Sequence, residues 1–155
     1  MEESKSTFTK RLGIAGAVVS LVGGSIAVWN QMKPEPEIPD LSGEWVITDA
    51  ISSAADERYV GETHEYVVNV LQDGAKLKGD GKQRLYNGEH AQGKWAVHLD
   101  GIVKPEQVTI QYVVNNGAFT GTMRLTVDPE DPHRWMGTNS TTVAEQRGDV
   151  VVLIR

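Results

Sequence analysis

The stretch FTGTMRLTV, residues 119–127, alternates without a break. Phe119, Gly121, Met123, Leu125 and Val127 fall on one side, and Thr120, Thr122, Arg124 and Thr126 on the other. A period of two is that of a strand with one buried face. The pattern returns in Val108, Ile110, Tyr112 and Val114, in Tyr66, Val68 and Val70, and in Gly93, Trp95, Val97 and Leu99. The last run, VVVLIR, is apolar almost throughout and predicts a strand buried on both faces or against a neighbour. Between the runs stand Asp73-Gly74, Asn87-Gly88, Asp100-Gly101 and Asn116-Gly117, pairs suited to tight turns with positive φ. Short strands joined by such turns predict an all-β antiparallel meander over residues 41–155. About eight of them would close into a small up-and-down barrel, which leaves no open edge. Within DAISSAADERYVGET, Ser52 or Ser53 is placed to cap a short helix through Tyr59, either a lid on a barrel mouth or a plain surface loop.

The first forty residues are of another kind. LGIAGAVVSLVGGSIAVW, residues 12–29, carries no charge. As a helix it would span roughly 27 Å, near the ~30 Å of bilayer hydrocarbon. Phe8 and Trp29 stand where interfacial aromatics lie, with Lys10 and Arg11 at one end. The organisation expected is therefore a charged tail (1–11), one transmembrane helix (12–29), a Pro-rich spacer (30–40) and a soluble β-barrel (41–155). A cleaved secretory leader competes, with Ser25-Ile26-Ala27 as its cutting site. Gly16, Ser20 and Gly24 recur every four residues on one helix face, a spacing that lets helices pack closely in lipid and predicts a homo-oligomer. The excess of Lys and Arg before the apolar run points weakly to a C-terminal domain outside the cytoplasm.

Charge narrows the partners. The chain is formally −6, and residues 41–155 hold eleven Lys or Arg against sixteen Asp or Glu. Duplex DNA is a poor partner for such a surface. The chain has no cysteine, which excludes disulfides, thiolate metal sites and cysteine nucleophiles. His64, His90, His98 and His133 are scattered, and His64 with His98 on neighbouring strands is the one pair open to a metal; no metal or other cofactor is expected. Glu130 and Asp131 belong to a Pro-flanked turn, Arg147-Gly148-Asp149 reads as a hairpin turn, and Asn139-Ser140-Thr141 as a chance sequon. No nucleophile–base set emerges, so a binding module is expected rather than an enzyme. One cluster suits an anionic ligand. Lys76, Lys78, Lys82, Arg84 and Lys94 lie close in sequence with Tyr86, His90 and Trp95 between them. Strand parity puts Lys82, Arg84 and Tyr86 on one face, and Arg58 with Tyr59 adds a second basic–aromatic pair. Cations on phosphate and rings on bases are how proteins hold nucleotides, although a solvated sheet face has the same composition.

Two resemblances follow. LSGEW, with Gly43 and Trp45, resembles the Gly-x-Trp opening of calycins, the lipocalin and avidin-like barrels. It implies a basic residue over the Trp, either Arg155 or Arg147. The layout of membrane helix, spacer and small barrel resembles membrane-anchored effectors of prokaryotic anti-phage defence, in cyclic-oligonucleotide (CBASS-type) and type III CRISPR systems. That resemblance implies a cyclic oligonucleotide bound by Arg58, Tyr59, Lys82, Arg84, Tyr86, His90 and Lys94. Binding would gather the helices through Gly16, Ser20 and Gly24 and disrupt the bacterial inner membrane, with the barrel in the cytoplasm. The alternative is a periplasmic, inner-membrane-anchored calycin-like module for a small apolar ligand or an envelope component.

Overall fold

The computed structural model describes residues 37–93, 95–142 and 145–155. The apolar run at 12–29, with Gly16, Ser20 and Gly24, and Lys94 of the basic cluster lie outside the described residues. No helix among the described residues is long and apolar enough to cross a membrane.

Nine strands follow one another: β1 (Gly43–Ser53), β2 (Thr63–Asp73), β3 (Lys76–Tyr86), the two-residue β4 (Glu89–His90), β5 (Ala96–Lys104), β6 (Gln107–Val114), β7 (Phe119–Asp128), β8 (Asp131–Thr141) and β9 (Arg147–Ile154). Each long strand pairs antiparallel with the next. β9 returns to β1, and β2 joins β3, so eight strands close into an up-and-down barrel with β4 as a spur on β3. The alternation is what closes it. Val108, Ile110, Tyr112 and Val114 are all buried, as are Tyr66, Val68 and Val70, and Met123 and Leu125. They meet Trp45, Ile47, Val150 and Val152 along the barrel axis. The last run is a correction. Val150 and Val152 point inward, but Leu153 is 41% exposed, because β9 is paired at both sides and no described residue covers its outer face.

Three of the four turn signals hold. Asn87 and Gly88 take φ of 49° and 79°, Gly74 turns β2 into β3, and Asn116-Gly117 lies between β6 and β7. Asp100-Gly101 does not turn. Gly101 sits inside β5, opposite Ile110, and the hairpin falls at Pro105-Glu106. A Cβ on Gly101 would stand 3.1 Å from the Thr109 carbonyl oxygen and 3.2 Å from Ile110 Cγ1, so this glycine relieves crowding in a narrow barrel. The Arg147-Gly148-Asp149 triplet likewise begins β9. In the first loop Ser52 and Ser53 belong to β1, and the short helix is a 3-10 turn at Glu57–Tyr59 capped by Asp56, whose carboxylate accepts from the Arg58 N–H.

The barrel has two unlike ends. At one, Leu41 is buried beneath the strands and its carbonyl accepts from Trp45 Nε1 at 2.8 Å. Gln72 ties this end together: its Oε1 accepts from Leu41 N, and its Nε2 donates to the Pro39 and Gly74 carbonyls. Trp45 is 1% exposed. The guanidinium of Arg155 is turned to the solvent-side Glu44 carboxylate at 3.4 Å, and Arg147 lies at the other end of β9, so the cation expected over the indole is replaced by the Leu41 plug. The other end, where the chain leaves β1, β3, β6 and β8, is open.

Candidate functional site

The open end holds a cavity of about 540 Å³. Its walls come from the inward positions nearest that end: Asp49 on β1, His64 and Tyr66 on β2, Gln83 on β3, Tyr112 and Val114 on β6, Phe119 on β7. The 3-10 turn, the two-residue β4 and the loops beside them supply a rim of Tyr59, Glu62, Glu89, His90, Gln92 and Trp95. The same alternation that places valines deep in the barrel places aromatic and polar groups here, one layer further along each strand.

The floor is a hydrogen-bonded chain. Tyr112 Oη donates to Asn139 Oδ1 at 2.7 Å, and Asn139 Nδ2 donates to Asp49 Oδ2 at 2.9 Å. Two glycines make room for it. A Cβ on Gly121 would fall 2.4 Å from Tyr112 Oη, and one on Gly148 would fall 2.6 Å from Asp49 Oδ1. Asp49 is 7% exposed, and its Oδ1 has no hydrogen-bond partner among the described residues. Burial pushes its carboxyl up to about 6; the Asn139 hydrogen bond opposes the rise and the charge of Asp149 adds to it. Burial also raises the Tyr66 and Tyr112 phenols well above their usual range, so both stay protonated. Asn139 is 5% exposed and committed to this chain, which removes the sequon as an acceptor of sugar.

Around the floor stands an aromatic wall. His64 lies stacked near Tyr66 with ring centres 6.2 Å apart, and Tyr86 tilts against it at 5.3 Å. Trp95 stacks on Phe119 at 5.6 Å. Desolvation holds the His64 imidazole below its ordinary value against the pull of Glu62, which favours the neutral ring. Its Nδ1 meets Gln83 Nε2 at 3.1 Å.

The residues singled out from the sequence divide between this cavity and the outer surface. Tyr59, Tyr86 and His90 line the cavity. Lys82 and Arg84 project from the outside of β3. Arg84 is paired with Glu65, and Arg58 holds Asp56 at 2.6 Å. Tyr86 parts from its expected companions because of a bulge. Glu65 pairs with Leu85 but Tyr66 with Gln83, so Arg84 is an extra residue in β3. The slip carries Tyr86 opposite inward-facing His64, where its hydroxyl donates to Glu62. His64 and His98 are not neighbours: β3 separates their strands, and His98 faces outward onto Asp80. No group of three metal-ligating side chains occurs among the described residues.

Sequence reasoning missed Asp49, Asn139 and the two glycines. The signal was present. Trp45, Ile47, Asp49 and Ile51 share parity, and an acid among inward apolar residues is an anomaly on a strand.

No protein-family model matches the sequence, and no curated protein does. Among solved structures the fold is similar to designed barrels. A redesigned β barrel matches with a TM-score of 0.56 at 15% identity, over 74% of this chain and 90% of that one. The redesigned barrel mFAP1, bound to DFHBI, matches with a TM-score of 0.55 at 14% identity, over 74% and 94%. A fluorescence-activating β barrel designed de novo matches with a TM-score of 0.53 at 11% identity, over 74% and 93%. At these identities the likeness is one of fold.

Proposed function

We propose that this protein is a single-pass bacterial inner-membrane protein whose barrel binds a small, largely apolar aromatic molecule at its open end. One observation carries the reading: a cavity of about 540 Å³ walled by Tyr66, Tyr112, Trp95 and Phe119, with no Lys or Arg among its described lining residues. Sites for small molecules are concave, mainly apolar and furnished with a few fixed polar groups. The floor chain supplies such groups. The uncharged run at 12–29 supports the membrane anchor, with Gly16, Ser20 and Gly24 as its self-association face. The reading is of a binding module and not of an enzyme.

The test is calorimetric titration of the full-length protein in lipid nanodiscs with neutral bicyclic aromatics, led by indole-3-ethanol. Saturable binding is expected, with a change in Trp95 fluorescence. Ala91→Trp, which places an indole at the rim, is expected to abolish it. Binding that survives Ala91→Trp would locate the ligand elsewhere and overturn the reading.

A second reading has one observation in its favour. Lys82 and Arg84 do share the outer face of β3, where a cyclic oligonucleotide could bridge several barrels and gather their helices. The carboxylates of Glu65 and Asp56 on Arg84 and Arg58 weigh against it, since a phosphate would first have to displace them. Titration of the same nanodiscs with a cyclic dinucleotide separates the two. Binding lost in the Lys82→Ala/Arg84→Glu double variant would favour the defence effector.

A further inference from the structure

The ligand's chemical class can be taken one step further, on the footing of the cavity reading above. Asp49 is the only acid on the floor among the described lining residues, and more than nine-tenths of its surface is buried. Its two oxygens are treated differently. Oδ2 is held by Asn139 Nδ2 at 2.9 Å, while Oδ1 has no partner among the described residues. A buried polar atom without a partner costs folding free energy and calls for an explanation; unlike Trp135 Nε1, which is also unpartnered among the described residues but lies in the packed core, Asp49 Oδ1 belongs to a residue that lines the cavity. Gly148 keeps clear the space a Cβ would fill, 2.6 Å from that same oxygen.

The surroundings select the sign of the arriving group. Tyr66 and His64 face Asp49 from β2, Tyr112 from β6 and Asn139 from β8, while Asp149 follows on β9. The phenols are protonated and His64 is held towards its neutral form, so no described cation already compensates the carboxylate. Glu62 and Glu89 at the rim add negative potential along the way in. Tyr66, Tyr86, Trp95 and Phe119 line the same cavity, and aromatic rings are the groups that stabilise an organic cation.

We infer that the cavity takes an arylalkylamine in its protonated form, with the ammonium donating to Asp49 Oδ1 and the ring lying among the aromatic walls. A charge-assisted hydrogen bond is roughly twice as strong as a neutral one, which separates an amine from its neutral isostere on the same ring. An anion of the same shape would face Asp49, Glu62 and Glu89 together.

The experiment compares three probes that share one ring: tryptamine, indole-3-ethanol and indole-3-acetate, titrated by calorimetry into the full-length protein in nanodiscs at pH 7.5. Tryptamine is expected to bind at least about tenfold more tightly than indole-3-ethanol, and indole-3-acetate more weakly than either. In Asp49→Asn the advantage of the amine is expected to vanish while indole-3-ethanol still binds. Equal affinities for the three probes in the wild type would overturn the inference and leave the cavity reading intact. Absence of all three from the cavity, with no response of Trp95, would overturn both. If Asp49→Asn does not fold, the wild type decides by itself. Between pH 7.5 and pH 5 the carboxyl takes up its proton, so the tryptamine-to-indole-3-ethanol ratio is expected to fall several-fold. A ratio that stays constant across that range would remove Asp49 as the anchor.

Discussion

The two ends of the barrel are made from the same eight strands, yet they obey different rules. At the plugged end the polar atoms of the plug are answered: Trp45 Nε1 reaches Leu41 O, and Gln72 spends both ends of its amide on Leu41, Pro39 and Gly74, although Trp135 Nε1 deeper in the core has no partner among the described residues. At the open end a carboxylate is buried with one oxygen unanswered among the described residues, and aromatic side chains border empty volume. The first arrangement maximises stability. The second gives up stability to keep groups prepared for something outside the chain.

Substitutions test how deep that difference goes. The largest effect is expected at the plug. Trp45→Ala removes one of the two biggest fully buried side chains and strands the Leu41 carbonyl, so chemical denaturation should show a loss of about 3–5 kcal/mol. Asp49→Asn should move the opposite way. The folded carboxyl titrates near 6 against an ordinary 3.8. The folded chain therefore holds a proton that the unfolded chain has already released between those values. The stability this proton supplies is complete below about pH 3.8 and is lost as pH rises through about 6. At pH 7.5 the ionised, buried Asp49 thus costs about 2–3 kcal/mol, and Asn at this place should recover much of it. Denaturation midpoints of the two proteins should converge at pH 4; a constant gap would show that the carboxylate carries no such cost. Gln72→Ala, which cuts the plug's ties without removing the plug, should destabilise by about 1–2 kcal/mol with tryptamine affinity unchanged. Least of all, Arg84→Gln should leave the midpoint close to where it is, because Arg84, 40% exposed, meets Glu65 on the outer wall of the barrel.

The architecture was legible from residues whose two faces meet different media. FTGTMRLTV and QVTIQYVV had to be strands, because only a strand sends Met123 and Leu125, or Val108 and Ile110, inward while Thr and Gln stay wet. Glycine was the ambiguous letter. Asp100-Gly101 resembles a turn, but in a narrow barrel the same residue is wanted inside a strand to relieve crowding. The candidate site was legible only in fragments. Tyr59, Tyr86 and His90 stood in the basic–aromatic cluster, whereas Lys82 and Arg84 went to the outside. The parity count was right as far as Arg84 and failed there, because a bulge adds a residue without any mark in the sequence. Asp49 was visible as an acid on inward parity, but its meaning depended on Asn139, 90 residues away.

The seam between β1 and β9 has a cost in time. It joins partners about a hundred residues apart, with Arg155 bonding back to Glu44 across 111 positions. Loop closure over such a span must precede any gain from pairing, so this domain belongs with slow, high-contact-order folders. Until the seam zips, β1 and β9 each present an unpaired edge, and that interval is when the chain is most exposed to sticking to its own copies.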